Sequence, residues 1–170
     1  MEEAIINLQS SFILLQNQRL VSQLVQSAQC VQQFLTLLDL KILFPVKIDI
    51  QQNIAKVNSS QHLYIDDVLK ITSDSSEGTL WLLLTQKFIV EFLLNLASTE
   101  NVKSSVTDAY TLVLKERHNF FIRSVFTTGF KFIPGLEQLK AKTGLDITME
   151  VKERVSQMKL SIDSFNILVQ

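Results

Sequence analysis

From Leu80 to Ala97 the chain is almost continuously apolar, broken by Gln86, Lys87 and Glu91. A run of this length has two destinations: the interior of a folded domain or a lipid bilayer. These interruptions argue for the first, so a buried core helix is expected rather than a membrane span. The rest of the chain must then supply apolar neighbours, and it has few breakers with which to build anything but helices. Only 4 Gly and 2 Pro occur in 170 residues, which disfavours a turn-rich β fold. The apolar fraction is 46% and the charged fraction 19%, below the usual value of about 25%. One domain spanning residues 1–170 is long enough to bury a core.

The periodicity is helical throughout. Ile5, Leu8, Phe12 and Leu15, then Val21, Leu24, Val25 and Ala28, recur at three- and four-residue spacing, so Ala4 to about Leu38 reads as one long helix or two. Asp39 to Pro45 is a connection, and Pro45 opens a helix to about Asn58. A short helix near Leu63 to Ile71 precedes Ser73-Asp74-Ser75-Ser76-Glu77-Gly78, the clearest loop signal. The helix Thr79 to Ala97 follows, then a loop from Ser98 to Lys103. Ser105 and Asp108 have capping-box spacing and open a helix to about Phe132, ended by Pro134-Gly135. A short helix from Leu136 to Lys142 turns at Thr143-Gly144. The last helix starts near Thr148 and carries Val151, Val155, Met158 and Ile162 on one face. The pattern predicts an all-α fold of six to eight helices, without internal repeats.

Several function classes are disfavoured. Net charge is −1 and no lysine-arginine tract occurs, so no nucleic-acid partner is expected. Cys30 is the only cysteine, which leaves no disulfide framework and no thiolate metal site; it reads as a core residue. Neither a Gly-x-Ser-x-Gly elbow, a phosphate loop nor a His-Glu-x2-His motif is present. Asp49 with His118 could form an acid–base pair, yet nothing beside them suggests an enzyme. No cofactor or metal is implied. The acidic start, Met1-Glu2-Glu3, argues against a secretory signal, and a cytoplasmic protein is the default.

Three stretches could carry a site. Asp49, Asn53 and Lys56 lie four and three residues apart behind Pro45, within an arc of about 60° on a helix. They form either a solvated face or a polar patch beside the apolar stripe of Ile50, Ile54 and Val57. Trp81 is the only tryptophan, in the first turn of the greasiest helix, with Phe88 and Phe92 below it on the same stripe. It is either a core aromatic or a flat platform at the mouth of an apolar channel. His118 shares a helical stripe with Leu114, Phe121, Ile122, Val125 and Gly129. It is either a satisfied core histidine or a donor to a buried carbonyl. His62, near a loop, reads as surface.

Asp-x3-Asn-x2-Lys after Pro-Val-Lys, then Trp81-Leu82 opening a later helix, then Ala109-Tyr110-x3-Leu114-x3-His118, in that order, resemble the glycolipid transfer protein family over about Phe44 to Pro134. The resemblance implies a two-layer all-α sandwich of about eight helices enclosing an apolar lipid pocket. It implies that Asp49 holds a ceramide amide N–H and the headgroup, that Asn53 and Lys56 hydrogen-bond the headgroup, and that Trp81 stacks on the first sugar. His118 would donate to the acyl carbonyl. Phe88, Phe92, Leu114, Phe121, Ile122 and Val125 would line the pocket.

The chain departs from the family pattern at three points. Leu84 stands three after Trp81 where Arg is usual, and Phe120 stands two after His118 where Trp is usual. The chain is also shorter than typical members, which touches the C-terminal part of the pocket. A dianionic phosphate wants more than one cation, and Lys87, Arg117 and Arg123 are the candidate substitutes. The expected partner is a sphingolipid, a glycosylceramide first and ceramide-1-phosphate as the alternative, with peripheral, transient membrane contact. Phe120, Arg123, Phe130, Lys131 and Phe132 are the expected membrane-contact residues. A helical interaction domain without lipid transfer is the other alternative.

Overall fold

The computed structural model describes residues 1–166; positions 167–170 of the expected domain lie outside the described residues. Helices α1 (Glu2–Gln18) and α2 (Val21–Leu38) divide the N-terminal segment at Arg19, which adopts the left-handed conformation at φ 52°. The break uses neither Gly nor Pro, so composition could not locate it. It is pinned from outside. Val21 N–H donates to Leu63 O and Ile65 N–H to Arg19 O, both at 2.9 Å. The Arg19 guanidinium also grips both oxygens of Asp66 at 2.6 Å.

A 3-10 turn at Lys41–Leu43 leads into α3 (Phe44–Asn58), with Pro45 in its first turn, where a missing N–H costs nothing. The short α4 (Ile65–Val68) precedes α5 (Asp74–Thr99). Thus Ser73 to Gly78 is not a loop. Ser73 caps α5 by accepting from Ser76 N–H, and Asp74 and Glu77 place negative charge at the positive end of the helix.

The predicted helix from Ser105 to Phe132 is two helices, α6 (Val102–Val113) and α7 (Phe120–Gly129), separated and followed by 3-10 turns at Lys115–Arg117 and Phe130–Phe132. The caps are asparagines. Asn101 accepts from Ser104 N–H and Asn119 from Ile122 N–H, both at 3.0 Å. Ser105 is instead buried and donates to Asn101 O at 2.6 Å. The chain continues through α8 (Leu136–Thr143), ended by left-handed Gly144, to α9 (Met149–Asp163).

These helices form an all-α two-layer sandwich in which α5 is central, packing on α2, α3, α4, α6 and α9. By length and apolarity α5 could cross a membrane, but 78% of its apolar window is buried inside the fold. Gln86, Lys87 and Glu91 each reach a side chain on another helix. Gln86 Nε2 donates to Ser27 Oγ on α2 at 2.9 Å, Lys159 Nζ on α9 to Glu91 at 2.6 Å, and Lys87 Nζ to Asp163 at 3.2 Å. Phe12, Phe34, Phe88 and Phe92 are the largest fully buried side chains of one continuous core. Cys30 is half-buried against that core and His62 is exposed.

Candidate functional site

Helix α3 presents Asp49, Asn53 and Lys56 on one face, as the spacing requires, but the three differ in environment. Asn53 is 2% exposed and donates from Nδ2 to Asp49 Oδ2 at 2.9 Å. Asp49 and Lys56 line a cleft of about 410 Å3, with Glu77, Trp81 and Thr85 of α5 and His118, Ile122 and Phe126 of the α6–α7 segment. Gly78 is what lets α5 come so close to α3: a Cβ there would meet Lys56 Cβ at 2.9 Å and Asn53 O at 3.0 Å. The same approach sets Glu77 on the cleft wall, where it accepts from Lys56 Nζ at 3.1 Å.

The break between α6 and α7 changes the position of His118. The residue is extended (φ −87°, ψ 142°) and does not continue a helical stripe. Its imidazole stacks on Trp81 (centroids 5.5 Å, 18° between planes) and on Phe126 (5.5 Å, 20°). Its Nδ1 lies 3.2 Å from the Tyr110 hydroxyl, and its carbonyl accepts from Arg123 Nε at 2.8 Å. Trp81 is half-buried and sits in the second turn of α5, since the helix starts at Asp74 and not at Thr79.

Burial, foremost, raises the Asp49 carboxyl above its ordinary value; Lys56 and the Asn53 amide oppose this, and Glu77 adds to it. Burial and the nearby Arg123 cation push His118 below its ordinary value, so the ring is neutral near pH 7. The cleft lining therefore combines the carboxyls of Asp49 and Glu77, a neutral imidazole, an indole and the apolar side chains of Val46, Leu114, Ile122 and Phe126.

Other predicted residues lie elsewhere. Lys87 is not at the cleft, being buried and turned to Asp163 on α9. Arg117 belongs to the 3-10 turn, outside the cleft lining. Arg123 is half-buried, with its guanidinium spent on the carbonyls of His118 and Glu116. Phe88 and Phe92 are fully buried in the core and do not line the cleft, whereas Phe121 and Val125 face outward. Of the expected membrane-contact residues, Phe130 is core, while Phe120 and Phe132 are 87% and 82% exposed. Glu77, Thr85 and Phe126 were missed; the acidic first turn behind Ser73 was the available signal for Glu77. Among the described residues no group of three or more His, Cys, Asp or Glu side chains is placed to hold a metal ion.

Fold and cleft together define an all-helical two-layer domain with an amphipathic cleft between α3, α5 and α7. The chain belongs to the glycolipid transfer protein (GLTP) family, whose model matches residues 20–145. It is 27% identical over 113 residues to human "Putative protein PLEKHA9" and to rat "Pleckstrin homology domain-containing family A member 8". Those matches cover 57% of this chain but 29% and 22% of the relatives, so the chain spans under a third of the length of these curated relatives. Among solved structures, the fungal glycolipid transfer protein HET-C2 superposes with TM-score 0.71 at 25% identity, covering 88% of this chain and 82% of that one. Mouse ceramide-1-phosphate transfer protein in its apo form gives 0.77 at 14% identity, covering 94% and 92%, a likeness of fold alone.

Proposed function

We propose that this chain binds a glycosylceramide in the cleft between α3, α5 and α7 and carries or senses it between membranes, making and breaking no bond. The observation that carries the headgroup choice is the charge of the cleft lining: one lysine, Lys56, against two carboxylates, Asp49 and Glu77. Lys56 is already paired with Glu77. Sugar hydroxyls both donate and accept, and suit such a mixed wall; a phosphate with about 1.5 to 2 negative charges does not. Leu84, where the family usually has Arg, is fully buried and adds no cation. The fold likeness to a ceramide-1-phosphate transfer protein, at 14% identity, concerns the backbone alone and does not bear on the headgroup.

In this reading Asp49 accepts from the ceramide amide N–H, Asn53 holds Asp49 and Lys56 reaches the sugar. Trp81 is the sugar platform, and His118 donates to the acyl carbonyl. The apolar side chains of the lining take the lipid chains, and each buried methylene of the lipid adds about 0.8 kcal/mol. The exposed rings of Phe120, Phe121 and Phe132, with Lys131, supply a weak, reversible membrane contact. Action at cytoplasmic membrane surfaces is part of the same proposal. The test is vesicle-to-vesicle transfer of a hexosylceramide by wild type and by Asp49→Val. The variant is expected to keep its helical spectrum and lose transfer; undiminished transfer by a folded variant would remove the role given to Asp49.

A further inference from the structure

Tyr110 is built into the site behind His118. It lies on α6, 2% exposed, with its ring stacked on Phe126 at 4.8 Å and edge-on to Phe130 at 5.4 Å. Its hydroxyl is 3.2 Å from His118 Nδ1, the one side-chain hydrogen bond of this hydroxyl among the described residues. A phenol is both donor and acceptor, and a neutral imidazole has one nitrogen of each kind. If Nδ1–H donated to the phenol, the phenolic proton would be left buried without an acceptor, at the full desolvation penalty of that group. The arrangement that satisfies both groups is Tyr110 O–H donating to the Nδ1 lone pair.

We infer that Tyr110 is a positioning residue that fixes His118 in the tautomer carrying its proton on Nε2 and holds that N–H toward the cleft as a donor. Three further contacts immobilise the ring: the stacks on Trp81 and Phe126, and the Arg123 Nε bond to the His118 carbonyl. Burial favours the protonated phenol and disfavours the imidazolium, consistent with this arrangement. What His118 donates to rests on the function proposed above: an amide carbonyl of the lipid. Its tautomer does not rest on it.

The experiment has two arms on wild type and Tyr110→Phe, a variant that keeps the ring packed on Phe126 and Phe130. In the first, 15N NMR of the histidine ring is read without any lipid. Wild type is expected to show a protonated Nε2 and a hydrogen-bonded, unprotonated Nδ1; in the variant the Nδ1 resonance moves to the position of a bare lone pair. In the second, both proteins are titrated with a short-chain hexosylceramide and with its analogue in which the amide carbonyl is reduced to CH2. Tyr110→Phe is expected to lose roughly fivefold in affinity for the amide and little for the reduced analogue. A proton on Nδ1 in wild type would overturn the inference. So would an unmoved Nδ1 signal in the variant, or an equal loss for both lipids. If neither lipid bound wild type, the function proposed above would fail while the NMR arm still decided the tautomer.

Discussion

Replacing Glu77 with Gln tests the electrostatic reading of the cleft. The substitution removes one of the two negative charges on the cleft lining and releases Lys56 from its 3.1 Å partner, while leaving a side chain of the same size that still accepts a hydrogen bond. A phosphate headgroup about 6 Å from Glu77 would feel about 0.7 kcal/mol per unit charge product in water-like screening, and about 2.8 kcal/mol at an effective dielectric of about 20. The Glu77 side chain is 55% exposed, so the lower figure applies. For about 1.5 to 2 phosphate charges it gives about 1 kcal/mol, or roughly fivefold in favour of phosphate. A neutral sugar gains nothing from the change and exchanges a charge-assisted hydrogen bond for a neutral one, losing about 0.5 to 1 kcal/mol. The preference for hexose over phosphate should therefore narrow by about 2 kcal/mol, roughly 30-fold. Folding stability should change by less than about 1 kcal/mol, since the ion pair is exposed. The assay is competition between hexosylceramide and ceramide-1-phosphate of equal chain length for wild type and variant. An unchanged ratio, or a shift toward hexose, would refute the charge argument.

Three more outcomes are expected. The Asp49 carboxyl is raised in the fold, so the folded protein holds its proton more tightly than the unfolded chain does. This group's contribution to stability therefore falls as pH rises from about 4 through the raised value. Asp49→Asn should remove that slope and melt higher than wild type at neutral pH; a lower melting point at pH 7 would contradict the burial argument. Gly78→Ala should destabilise by about 1 to 3 kcal/mol in urea unfolding because α3 must move away from α5, whereas a stabilised variant would mean that ordinary helix propensity outweighs the contact. Alanine at Phe120 and Phe132 should weaken co-sedimentation with vesicles while leaving affinity for a short-chain, monomeric hexosylceramide unchanged, and unaltered co-sedimentation would remove these rings from the membrane contact.

What could be read from sequence was whatever depends on spacing within one helix. Pro45 opens α3, and the i, i+4, i+7 spacing of Asp49, Asn53 and Lys56 places the three on one face of it. The apolar continuity of α5 marked it as a core helix, and its burial agrees with that reading. Boundaries set by single side-chain caps were read less well. Ser73, Asn101 and Asn119 start helices by accepting one backbone N–H each, a choice that competes with neighbouring residues of equal capping ability, such as Ser105. Missing the cap at Asn119 put His118 on a helical stripe and assigned Phe121 and Val125 to a pocket they turn away from. Lys87 was offered to the headgroup because its partner Asp163 lies far along the chain, a contact that no local pattern encodes. Glu77 was hidden for the same reason in reverse: a serine-rich segment with a glycine looks like a loop until a second helix packs against it.

This cleft is proposed to select a neutral sugar on ceramide. Native mass spectrometry of the folded chain, after exposure to equal amounts of hexosylceramide and ceramide-1-phosphate with the same acyl chain, tests it most directly. A one-to-one complex with the hexosylceramide as the dominant species is the predicted result. A dominant ceramide-1-phosphate complex, or protein that emerges with neither lipid, would contradict it.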